Sequence, residues 1–164
     1  MKHEHARGLI AGLFPAQIDN TFRGRRIALY AFYPVTALIL WRSLHHLIAA
    51  DGGAQTIATM PLDSYPSGAA QNIVAIFAQW GLSQLLLGLM FLAACIRYRA
   101  MVPLMWLMLA LEAAGRQLAG AAKPIATLHT APGAVGTLPM LALALIMLWL
   151  SLPLPEGDKE PARN

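Results

Sequence analysis

The chain has 164 residues, of which 57% are hydrophobic and only 12% charged, with a formal net charge of +4. Soluble domains carry about 25% charged residues, so the polar residues here are too few to cover a sizeable core in water. A soluble globular enzyme does not fit. A disordered chain is excluded, and so is a disulfide-rich secreted protein, because Cys95 is the sole cysteine. An integral membrane protein of one domain is the class that remains.

In chain order, residues 8–18 (GLIAGLFPAQI) are apolar, too short to span a bilayer and broken by Pro15. They read as a short interfacial helix rather than a cleaved signal peptide. Asp19-Asn20-Thr21 then predicts a capping turn before the first span. A spanning helix needs ~20 mostly apolar residues to cross ~30 Å of hydrocarbon. Four segments meet that requirement, at 27–50, 69–96, 100–118 and 135–152. Asp51-Gly52-Gly53 ends the first, and Arg97-Tyr98-Arg99 makes a tight turn between the second and third. Pro132-Gly133 precedes the fourth, with Pro153 and Pro155 after it. Pro34, Pro103 and Pro139 are expected near span ends, where proline is tolerated best. The organisation predicted is a cytoplasmic or interfacial segment over 1–26, a transmembrane domain over 27–153 and a flexible cytoplasmic tail over 154–164.

Lysine and arginine set the direction. Lys2, Arg7, Arg23, Arg25, Arg26, Arg97, Arg99, Lys159 and Arg163 all fall on one side of this topology, whereas the loops 51–68 and 119–134 carry Lys123 alone. The expectation is an all-α, integral membrane four-helix bundle in a bacterial-type inner (plasma) membrane, with both termini cytoplasmic. The same bias accounts for the positive net charge without a nucleic-acid partner.

Polar side chains inside spans are expensive, and three of the four spans contain them. In the first, Arg42, His45 and His46 stand at i, i+3 and i+4 and share a face. In the third, Glu112 and Arg116 stand at i, i+4 and can pair. A charge at mid-bilayer costs at least ~2.5–3.5 kcal/mol on insertion scales, which pairing reduces without removing. The plain alternatives are snorkelling of Arg42 and the histidines to the headgroups and a purely structural Glu112–Arg116 pair. Two cations against one carboxylate leave room for an anionic ligand group, or for Asp63 folding in from its loop. In the second span Asn72, Gln79 and Ser83 follow one face, while Gln84 follows Trp80, Gly81 and Gly88 on another. Interhelical hydrogen bonds explain each of these polar residues taken singly. Gly81 and Gly88, and Ala113-Ala114-Gly115 in the third span, suit close helix contact. By depth alone, Arg42, His45, Gln79, Glu112 and Arg116 are expected to meet in the outer half, under a roof of the two long loops.

Several chemistries are set aside. Met101, Met105 and Met108 read as core filler. Too few histidines lie near spans for a di-haem cytochrome, and no HExxH, CxxC, P-loop or dinucleotide fingerprint appears. A zinc site from His45, His46, Asp63 and His129 is conceivable, but no spacing requires it, so no metal is expected and no cofactor is named.

The stretch from Pro61 to about Met147 resembles small four-helix bacterial membrane proteins related to the DoxX family. The resemblance rests on L-D-S-Y (Leu62 to Tyr65), G-L-x-x-L-L-L-G-L in the second span, the short Arg-bearing turn, E-A-A-G-R in the third span and the Pro-Gly loop before the fourth. It implies a four-helix bundle, and some relatives look like partners of quinone-linked oxidoreductases or redox stress systems. Pro66-Ser67-Gly68 stands where such proteins often carry an arginine after the aspartate.

The leading expectation is a binder of a lipophilic, quinone- or lipid-like molecule with an anionic or polar head. Arg42, His45, His46, Gln79, Gln84, Glu112 and Arg116 are its candidate ligand-binding residues. The alternatives are an accessory subunit of a larger membrane redox complex and a small membrane enzyme using Glu112 or His45 as acid or base. Membrane lipid and a homo-oligomeric or larger complex are the partners considered. A transporter finds no repeat signature to support it.

Overall fold

Four long helices carry the chain: α1 (Arg26–Ile48), α2 (Ser67–Ile96), α3 (Val102–Ala122) and α4 (Pro132–Ser151). The computed structural model describes residues 11–153, is 72% helical and contains no strand among those residues. The helices match the four apolar segments to within a few residues at each end. They run antiparallel in sequence. One end, the base, therefore gathers the start of α1, the Arg97–Met101 turn and the end of α4. The other, the loop end, gathers the loops 49–66 and 123–131.

The chain leaves α1 through Gly52 and Gly53, whose φ angles of +60° and +74° suit glycine. Asp51 secures this bend by accepting the amides of Gly53, Gln55 and Thr56 at 2.7–3.0 Å. Pro103 and Pro132 occupy the first turns of α3 and α4, where the missing N–H costs nothing. Pro34 and Pro139 lie inside α1 and α4 rather than at their ends, a placement that membrane helices tolerate when neighbours support the freed backbone. The turn expected to cap α1 does something else. Asp19 accepts the amide of Thr21 and pairs with Arg23, both locally, while α1 starts at Arg26 with no side-chain cap. Of the interfacial helix expected over 8–18, residues 8–10 lie outside the described residues; 11–13 are helical, but 14–18 are not, since the chain bends at Phe14, just before Pro15. All of the tail lies outside the described residues.

α1 packs along α2, and α3 along α4, so the molecule is two helical hairpins with fewer contacts between them. Two glycines of α2 let the first hairpin close. A Cβ on Gly81 would stand 2.8 Å from the His46 Cβ and 3.0 Å from the Leu47 amide, and one on Gly88 would meet Leu40 at 2.9 Å. Ala113 of α3 is fully buried, but a Cβ on Gly115 would meet no other helix within 4 Å, so this glycine makes no such close contact.

The main core sits toward the base. Phe32, Phe91 and Trp106 are fully buried and meet with ring centroids 5.2–5.3 Å apart. The Trp106 indole donates to the Ala28 carbonyl at 3.2 Å, which satisfies its polar atom and ties α3 to α1. At the loop end the two loops join: the Leu128 amide donates to the Thr59 carbonyl and the Thr59 hydroxyl to the His129 carbonyl.

The outward faces are apolar. Ile27, Leu38, Ile76, Leu86, Val135, Leu145 and Trp149 are among many large apolar side chains left exposed. α1, α2 and α4 are each long and apolar enough to cross a membrane. α3, which bears Glu112, Arg116 and Gln117, is not among those three.

Candidate functional site

Toward the loop end a chain of polar side chains crosses from α1 through α2 to α3. Arg42 donates from Nη2 to Gln84 Oε1 at 3.0 Å. Gln84 donates from Nε2 to Glu112 Oε1 at 3.3 Å. Arg116 donates from Nη2 to Glu112 Oε2 at 2.6 Å. Helical spacing supplies the last contact, because residues four apart lie one above the other. Helix packing supplies the first two. Gln84 lies three residues after Gly81 and four before Gly88, so it shares the face that those glycines press against α1. It is buried, and both ends of its amide are used, one accepting from a cation and the other donating to an anion. The Arg42 guanidinium also lies 5.7 Å from the Trp80 ring centroid, within range of a cation–π attraction.

The cluster is unbalanced. Arg42 and Arg116 carry two positive charges and Glu112 one negative, all joined in one chain of hydrogen bonds through Gln84. The Glu112 and Arg116 side chains are only 19% and 26% exposed. Arg42 Nε, Arg116 Nε and His45 Nε2 are buried with no hydrogen-bond partner among the described residues. Buried polar atoms normally find a partner, so these three mark unfilled hydrogen-bonding capacity at one end of the molecule. Asp63 does not supply the second anion: it accepts from Gln55 Nε2 at 2.7 Å in an exposed part of its loop. Glu112, with both oxygens engaged, acts here as the anchor that orients Gln84 and Arg116.

The remaining candidates divide. His46 is buried, its Nδ1 is 2.7 Å from the Gly52 carbonyl, and its ring lies 4.8 Å from that of Trp80. A Cβ on Gly53 would stand 2.8 Å from the same Nδ1. His46 thus locks the α1–loop corner and has little left for a ligand. His45 is half-buried, near Trp41. Gln79 does not meet the arginines as expected. It is exposed, five residues and hence about 140° of helical rotation from Gln84, and Gln84 takes the place expected of it. Asn72 and Ser83 are exposed on the same side of α2 as Gln79. Trp80 is the site residue that the sequence reading did not single out, although its position four before Gln84 puts it on the same face. No three His, Cys, Asp or Glu side chains converge to hold a metal among the described residues. Met105 is buried in the core and Met108 is exposed.

Two loop carboxylates are strongly ionised. Burial opposes ionisation of Asp51, but the amides of Thr56, Gly53 and Gln55 and the Thr56 hydroxyl outweigh it and hold the carboxyl at about 2 instead of 3.8. The Thr21 amide and Arg23 likewise hold Asp19 below its ordinary value, against a smaller opposing effect of desolvation.

Compared with protein-family models, curated proteins and solved structures, the chain matches none.

Proposed function

We propose that this chain crosses a bacterial-type inner membrane four times, with both termini cytoplasmic, and binds a lipophilic molecule by an anionic or hydrogen-bond-accepting head at its loop end. The apolar outward faces support the membrane reading, together with the gathering of Arg23, Arg25, Arg26, Arg97 and Arg99 at the base. α3 would be the fourth crossing, since its ends join the base turn and the loop at opposite ends of the molecule. Its Glu112 is the group that Gln84 of α2 bonds. A reporter fused after Asn164 is expected to be active only in the cytoplasmic format; activity in the periplasmic format would overturn the orientation.

One observation carries the binding reading: two arginines belong to a cluster with a single carboxylate, which Arg116 bonds directly and Arg42 reaches only through Gln84, and buried Nε atoms on both are left unpartnered. A quinone- or lipid-like molecule suits this end, because its head would accept from the arginines while its tail lay along the apolar helices. The resemblance to DoxX-related proteins belongs to the same proposal, since its E-A-A-G-R motif supplies the Glu112–Arg116 half of the cluster. The test is solvent extraction of the protein purified in mild detergent, with quantification of the lipophilic molecules released. Arg116→Ala and Arg42→Gln, each with helicity unchanged, are expected to lose the molecule. Wild-type content in both variants would sink the reading.

A second reading, a subunit of a larger or homo-oligomeric assembly, is favoured by the exposed Asn72, Gln79 and Ser83. Polar groups facing hydrocarbon gain by meeting a partner helix. Gln79→Leu is expected to lower the fraction of higher-mass species after mild extraction if that reading is right; a monomer in both proteins would argue against it.

A further inference from the structure

We propose that a cleft at the base end is a second binding site, for the phosphate of an anionic phospholipid. The proposal shares the membrane reading above and uses none of the loop-end residues.

The cleft is open to the surface and offers about 520 Å³ between the segment that leads into α1, the first turns of α1 and the turn after α2. Its polar lining is Asn20, Thr21, Arg26, Tyr30, Tyr33 and Arg99. The walls are held in place. The Asp19 carbonyl accepts the Ala100 amide at 3.3 Å, and the Arg25 amide donates to Leu150 across to α4. Among the described residues Arg99 spends only Nε, on the Cys95 carbonyl at 3.3 Å, which leaves its two terminal nitrogens to the cleft. The nearby carboxylate, Asp19, is taken by Arg23 at 2.7 Å. Neither Arg26 nor Arg99 has an acidic partner among the described residues. Two guanidinium groups with hydroxyl and amide donors beside them match a phosphate, whose oxygens accept several hydrogen bonds at once.

The surroundings favour a lipid over a free phosphate. Phe22 and Leu29 form the apolar part of the lining. Ile27 and Tyr30 are 59% and 60% exposed on the outside of α1, so the cleft continues onto a surface of the kind that faces acyl chains. The Tyr30 and Tyr33 rings lie 6.3 Å apart at the end of the helix, the level at which tyrosines meet headgroups. The volume accommodates a headgroup with its glycerol, while the chains would lie along α1.

The test is native mass spectrometry of the full chain in mild detergent, titrated with phosphatidylglycerol or with phosphatidylcholine of the same acyl chains. Phosphatidylglycerol is expected to be retained in preference. The Arg26→Gln/Arg99→Gln double variant is expected to lower that retention roughly 30-fold, the combined effect of two arginines near a membrane surface. Arg97→Gln, at the same end but outside the cleft, is expected to leave it unchanged. Circular dichroism checks each variant's fold. Arg99→Lys keeps the charge and is expected to lower retention severalfold by losing the planar fork. Equal retention of the two lipids would overturn the proposal, as would an Arg97→Gln loss matching the double variant or displacement of phosphatidylglycerol by millimolar inorganic phosphate. Arg116→Ala is expected not to alter phosphatidylglycerol retention, so failure of the loop-end reading and failure of this one are separately visible.

Discussion

At the base, α1, α2 and α3 meet through Phe32, Phe91 and Trp106. Toward the loops, the same three helices meet through Arg42, Gln84 and Glu112. The first junction is closed: its rings fill the space, and its one polar atom, the indole N–H, has a partner. The second is held by directional bonds, carries one cation too many and leaves the buried Nε atoms of Arg42 and Arg116 unused. Apolar packing at the base provides stability without needing anything from outside. An unbalanced polar cluster in a mostly apolar chain costs stability, and that cost is understandable if the cluster receives a ligand.

Variants at the two junctions should behave differently. The largest effect expected is at the base, where Trp106→Ala removes a fully buried ring and is expected to cost about 3–5 kcal/mol, read from unfolding in detergent. Where the variant remains folded, its ligand content should match wild type. At the loop end, Glu112→Gln leaves the cluster with two arginines and no carboxylate and is expected to cost about 2 kcal/mol, less than for a fully buried pair because the side chains are partly exposed. Arg116→Gln is expected to cost less than Glu112→Gln, since Glu112 keeps Gln84 and has Arg42 close by. A reversed order would mean that the surplus positive charge is not a feature of the site.

Asp51 gives a smaller and pH-dependent effect, confined to the loop end. Its folded carboxyl lies at about 2, below the unfolded value of 3.8. Its stabilisation is therefore complete above about pH 4 and lost as pH falls toward 2. Asp51 is half-buried, so after discounting for solvent screening the contribution is about 1 kcal/mol, similar to that of a helix cap. Asp51→Ala should lower stability by that amount near neutral pH and not at about pH 2, as thermal unfolding across pH would reveal. The smallest effect belongs to Gln79→Leu, expected within about 0.5 kcal/mol on the monomer because the side chain is exposed. A larger loss would place Gln79 in the cluster after all.

The helices were legible because long apolar runs broken by Asp-Gly-Gly, Arg-Tyr-Arg and Pro-Gly leave few alternatives. The Glu112–Arg116 pair was legible because i, i+4 spacing is local. Its partner on α2 was not, because depth along a helix says nothing about rotation around it. That rotation is set by contact of Gly81 and Gly88 with α1, and Gln84 shares their face whereas Gln79 does not. The behaviour of His46 depended on where the chain turned after Gly52, and that of Asp63 on its loop partner Gln55. Such tertiary contacts leave no periodic trace in the sequence.

The most direct measurement is a native mass spectrum of the wild-type chain released from mild detergent without added lipid, beside Arg42→Gln/Arg116→Gln. The account predicts in wild type a retained mass that is lost in the Arg42→Gln/Arg116→Gln variant and kept in Arg26→Gln/Arg99→Gln, whereas any base-end phospholipid shows the opposite pattern. A bare wild-type chain, or retained masses none of which depends on the loop-end arginines, would contradict it.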